Sequence, residues 1–78
     1  MSIASNLAEG DERDTDKESV RYFFIAKGSV AELRMQLQIA HESGYLSGTI
    51  YEKFESEYLL LARRIGKLIQ TRRGSSRL

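Results

Sequence analysis

Residues 15–49, TDKESVRYFFIAKGSVAELRMQLQIAHESGYLSGT, decide the fold. Thr15 followed by Glu18 fits a capping box, in which a hydroxyl takes one free backbone N–H at a helix start and a carboxylate reaches back for another. Asp14 and Asp16 beside it suit the positive end of the helix dipole. From there Val20, Phe23, Phe24, Val30, Leu33, Leu37 and Ala40 recur at the three-and-four spacing of one helical face, and Ile25, Met35 and Ile39 widen the stripe. The helix is expected over residues 16–43 with a stop at Gly44, roughly 28 residues or about 42 Å at about 1.5 Å per residue. A stripe this wide touches more than one neighbour. Gly28 inside it costs about 1 kcal/mol relative to Ala, which close approach of another helix at that point would explain.

Working outward, GYLSGT (residues 44–49) reads as a short turn, with Tyr45 and Leu46 folding back on the helix end and either Ser47 or Thr49 capping the next helix. In that helix, expected over residues 49–73, Ile50, Phe54, Tyr58, Leu61, Ile65 and Leu68 form an apolar seam, with Tyr51, Ala62 and Ile69 alongside. Residues 74–78 read as a frayed tail. Two long helices joined by so short a turn pack antiparallel. Upstream, residues 2–9 read as a helix too short to be stable alone, ended at Gly10 by the left-handed conformation that glycine adopts without a side-chain clash. The segment DERDTD then forms a solvated connection. The fold class expected is all-α, an antiparallel helical bundle in a single domain over residues 1–78.

Composition bounds what such a domain does. A chain of 78 residues buries only about 60% of its unfolded surface and usually needs a staple. There is no Cys and a single His, so disulfides, thiolate metal sites and a zinc cage are not the staple, and no cofactor is expected. Oligomerisation remains. No apolar run approaches the ~20 residues of a membrane span, and the N-terminus lacks a signal pattern, so a cytoplasmic address with no membrane partner is expected. The net charge of +1 hides an uneven layout. Acids crowd Glu9–Glu18, whereas Arg63, Arg64, Lys67, Arg72, Arg73 and Arg77 meet no acid after residue 62.

Three ordered motifs carry a resemblance: SIASNLAEG (residues 2–10), AKGSVAEL (residues 26–33) and AHESGYL (residues 40–46). They are similar, in order and spacing, to the four-helix-bundle family of the 23S ribosomal RNA intervening-sequence protein. The resemblance runs from Ser2 to about Leu68 and departs at Ala4, where the family usually has proline. It implies an up-down bundle of which this sequence lacks the first helix and most of the second, so that residues 2–9 are the second helix's remnant. It also implies a homopentamer, a relationship to the accessory protein of diversity-generating retroelements, which engages a reverse transcriptase and nucleic acid, and no enzymatic activity.

The candidate sites follow. Arg63, Arg64, Lys67, Arg72, Arg73 and Arg77 suit a phosphate backbone, giving salt-sensitive, largely sequence-blind affinity for RNA or DNA. Their bland reading is solubility and favourable cation placement at a helix C-terminus. Asn6 and Glu9, one turn apart in SNLAEG, suit polar contacts that set helix register. Phe23, Phe24, Gly28, Leu33, Leu37, Phe54 and Tyr58 suit helix packing or an oligomer interface, or a groove that accepts a partner protein's helix. The acidic run lacks the register of a calcium loop. His41 has no triad partners marked in the sequence, and no catalytic residue is assigned.

Overall fold

The computed structural model describes residues 2–76, and the side chains of residues 2–74. The described chain is all-α, with α1 over Ile3–Glu12, α2 over Asp16–Glu42 and α3 over Gly48–Ser76. Three helices, rather than four, make up the described residues.

Each helix start is capped by a hydroxyl. Ser2 accepts from the Ser5 N–H and Thr15 from the Glu18 N–H. At α3 the two candidates separate: Ser47 Oγ accepts the Ile50 N–H at 3.2 Å, and the Ser47 carbonyl accepts the Tyr51 N–H at 2.9 Å. Ser47 is therefore the cap, and Thr49 lies inside the helix.

The α2 stop is a matched pair of backbone bonds. Tyr45 N–H reaches the Ala40 carbonyl at 2.9 Å and Gly44 N–H reaches the His41 carbonyl at 3.1 Å, the six-to-one and five-to-two closure that needs a left-handed residue between them. Gly44 supplies it with φ of 82°.

α1 and α3 both run antiparallel to α2. The C-terminal part of α1 lies on the start of α2, with Gly10 against Ser19 and Phe23, while Ser2, Ile3 and Ala4 border a cleft with Ser29 and Leu33. Arg34 Nε donates to Glu55 Oε1 at 2.9 Å, and the His41 ring stacks on Tyr51 with centroids 4.6 Å apart, so α3 returns along α2. The hydrogen bond that Arg34 donates to Glu55 keeps its guanidinium above its ordinary pKa. The body is 49 Å long and 13 Å through its thinnest direction. It is closed at one end only. Phe23, Ala26 and Val30 of α2 bury against Ile65 and Ile69 of α3, and Ile3 and Leu7 of α1 pack onto this cluster.

Several expectations are corrected here. Gly10 is neither a stop nor left-handed: α1 continues two residues further, and Gly10 is buried inside it. A Cβ there would lie 2.6 Å from Phe23 Cε1, so the residue is small because α2 is close. The close approach expected at Gly28 is absent, since nothing lies within 4 Å of a Cβ built there. Of Gly10 and Gly28, it is Gly10 that is pressed by a neighbouring helix. Tyr45 does not fold back on α2 and is 85% exposed. α3 passes through Gly74 to Ser76 instead of fraying from residue 74, and residues 77 and 78 lie outside the described set.

Candidate nucleic-acid interface

The cations of α3 divide into two groups. Ile65, Ile69 and Tyr58 turn one face of α3 to the core. At about 100° per residue, Arg63, Lys67 and Arg64 then fan across the opposite side. All three are exposed. Among the described residues none of their side chains makes an ion pair or hydrogen bond. Arg64 and Lys67 rim a shallow hollow of about 420 Å³ completed by Leu68 and Thr71. Leu68 is 42% exposed, so the hollow has two positive groups above an apolar floor.

Arg72 and Arg73 are turned elsewhere. Arg72 Nη2 donates to Asp11 Oδ1 at 3.2 Å and its Nη1 lies 3.6 Å from Asp16 Oδ1, tying α3 to the α1–α2 connection. Part of the acidic run therefore serves as the counter-charge for the basic end. Arg73 sets its guanidinium over the Phe24 ring, 5.0 Å from the centroid. Arg77 lies outside the described residues.

Lys27 is the cation that sequence reasoning missed. Its Nζ lies 3.9 Å from the position of a Cβ on Gly66, so it crosses from α2 onto α3 at the residue preceding Lys67. The signal was present in the antiparallel register: the Arg34–Glu55 pair and the His41–Tyr51 stack bring residue 27 level with the mid-60s.

The polar residues of SNLAEG have separate jobs. Asn6 is buried and its Nδ2 donates to the Ser2 carbonyl at 3.0 Å, bracing the first turn of α1. Glu9 is half-buried and pairs with Arg13, whose guanidinium also lies over Tyr22 at 4.9 Å. The Glu9 hydrogen bond is the leading cause that raises the Arg13 pKa above its ordinary value. Arg13 thus holds the α1–α2 corner from both sides.

The packing candidates spread along the molecule. Phe23 is fully buried, Leu33, Leu37 and Tyr58 are half-buried, and Phe24 and Phe54 are 43% and 38% exposed. Phe54 stacks on Tyr58 with centroids 6.4 Å apart. His41 is half-buried, with Nδ1 3.1 Å from the Leu46 carbonyl. Among the described residues no group of three or more acidic, His or Cys side chains is placed to hold a metal ion, and no helix is long and apolar enough to cross a membrane.

These features define a class: a small all-α protein with a three-helix core at one end and a cationic outer face. The sequence profile of the 23S rRNA-intervening sequence protein family matches residues 1–67, and the chain belongs to that family. Arg63, Arg64 and Lys67 fall inside the matched stretch; Arg72, Arg73 and Arg77 fall after it. Comparison with curated proteins and with solved structures returns no match.

Proposed function

We propose that this protein is a non-catalytic, self-associating helical scaffold of the cytoplasm that binds nucleic acid through the outward face of α3. The observation that carries the binding half is the fan of Arg63, Lys67 and Arg64, exposed and without partners among the described residues. Cations held by no carboxylate retain their full attraction for phosphate, and releasing the condensed counterions of a nucleic acid drives the association. Lys27 extends the positive surface onto α2. Membership of a family named for an intervening sequence of 23S rRNA supports RNA as the polymer. The relationship to the retroelement accessory protein that the sequence resemblance implies would point the same way.

What supports the self-association half is how little is buried. Among the described residues five apolar side chains form the buried core, whereas Phe24, Ile25, Met35, Ile39, Ile50, Phe54, Leu60 and Leu68 are exposed. Copies that cover such surface complete a bundle of the four-helix kind that the family resemblance implies.

A fluorescence-anisotropy titration of a short single-stranded RNA at low and high salt tests the binding half. Binding at low salt that falls steeply as salt rises is expected; no binding at low salt, or salt-independent binding, contradicts it. A second reading, docking of a partner protein's helix, is favoured by an open cleft of about 430 Å³ between the start of α1 and Ser29, Glu32, Leu33 and Gln36. Substitution of Leu33 discriminates the two, because it lies in the cleft and away from the cations.

A further inference from the structure

The outward cations of α3 are interleaved with exposed leucines. Leu60, Arg64 and Leu68 follow one another at four-residue spacing, and Lys67 stands next to Leu68. Residues four apart on a helix are neighbours on one face, so apolar and positive positions alternate along a single row. Leu60 and Leu68 are 48% and 42% exposed, and neither joins the buried core. Glu57 bounds the row toward the turn end, and no acid follows it in the sequence.

A single exposed leucine is ordinary. Here the leucine floors a hollow of about 420 Å³ with Arg64 and Lys67 on its rim and Thr71 at its end. Thr71 Oγ1 donates its hydrogen to the Lys67 carbonyl at 2.9 Å, so the donors that these side chains hold out to a ligand are the two cationic heads. Such a lining suits an occupant with negative charge beside an apolar surface, and demands no particular hydrogen-bond pattern from it. A nucleotide meets that description, with phosphate at the rim and the face of its base on the floor. Every base has such a face, so the contact is blind to sequence. In a duplex the base faces are stacked on one another, and only the charge of the backbone reaches α3. An unpaired strand offers both. Arg64 and Lys67 stand about 4.5 Å apart along the helix at about 1.5 Å per residue, so two long side chains reach the phosphates on either side of one base.

We infer that the hollow on α3 receives an unpaired base of a single-stranded RNA, with Leu68 against the base and Arg64 and Lys67 on its flanking phosphates. The protein therefore prefers single strands to duplexes. This rests on the nucleic-acid reading of the α3 face and gives it a substrate class and a contact that is not electrostatic.

The chain contains no Trp, so one engineered Trp reports on the floor directly. In Leu68→Trp a base laid on the indole quenches its fluorescence. Single-stranded RNA at low salt is expected to quench it strongly, and duplex RNA of the same length to leave it nearly unchanged. Tyr45→Trp, at an 85% exposed position of the turn, is the control and is expected to stay unquenched. Leu68→Ala removes no charge. It is expected to weaken single-stranded RNA binding about fivefold, near the lower end of what one base contact contributes, with duplex affinity and the salt slope unchanged. Circular dichroism of all three variants is expected to match the wild-type helix content. RNA that binds by anisotropy without quenching Leu68→Trp, or that quenches Tyr45→Trp equally, overturns the base site alone, as does equal quenching by duplex. Absence of RNA binding at low salt overturns the nucleic-acid reading together with it. A blue shift of Leu68→Trp with phosphatidylglycerol vesicles and no response to RNA gives the face to an anionic lipid surface and overturns the inference.

Discussion

The two ends of this molecule are built differently. At the closed end α1, α2 and α3 converge on Phe23, Ala26, Val30, Ile65 and Ile69, all nearly inaccessible to solvent. At the turn end α2 and α3 are joined by the Arg34–Glu55 pair and the His41–Tyr51 stack, with Leu37 half-buried. A third helix, even one of ten residues, changes what its neighbours can bury. Isolated helices that short are marginal, so α1 exists because Gly10 lets it settle on Phe23 and Ser19.

Truncating Phe23 attacks the closed end most severely. Phe23→Ala is expected to cost about 3–5 kcal/mol, most of the stability of so small a domain, and to abolish cooperative urea unfolding. Gly10→Ala is next. The added methyl meets Phe23 at 2.6 and 2.9 Å and the Ser19 carbonyl at 3.1 Å, and neither a buried ring nor a helix backbone moves aside easily. A loss of about 1–3 kcal/mol is expected by chemical denaturation, with α1 amides losing exchange protection first.

The same substitution at Gly28 has the opposite sign. Ala meets open space there and restricts the unfolded chain, so Gly28→Ala is expected to stabilise by up to about 1 kcal/mol. Opposite effects of one chemical change at two helical glycines test the packing of α1 more sharply than either alone. Arg34→Ala probes the turn end and is expected to have the smallest effect. Its side chain is 36% exposed, so the melting temperature should fall slightly, and less at high salt.

Much of the fold was legible because local chemistry and packing agree over α2 and α3. Thr15 caps where the capping pattern lies, Gly44 ends α2, and the spacing of Phe23, Val30, Ile65 and Ile69 marks buried faces. The readings that failed depend on what lies across from a residue. Gly10 reads as a helix stop and Gly28 as a close approach, and only the position of α1 shows that Gly10 is the pressed glycine and Gly28 the open one. Phe24 and Phe23 are adjacent, yet about 100° of helical rotation sends one into the core and the other to the surface. In the candidate site the basic run was visible, but its division was not. Arg72 and Arg73 find Asp11, Asp16 and Phe24 only once the chain has folded back, and Lys27 joins the cations from another helix.

That division is the most direct point of attack. The measurement is the slope of log binding constant against log salt for a single-stranded RNA, compared among the wild-type chain, Arg63→Gln/Arg64→Gln/Lys67→Gln and Arg72→Gln/Arg73→Gln. Loss of three outward cations is expected to flatten the slope by about 2, at roughly 0.7 per phosphate contact, while the second variant keeps the wild-type slope. A triple variant with an unchanged slope, or an equal loss in the Arg72→Gln/Arg73→Gln chain, would contradict the outward face of α3 as the binding surface.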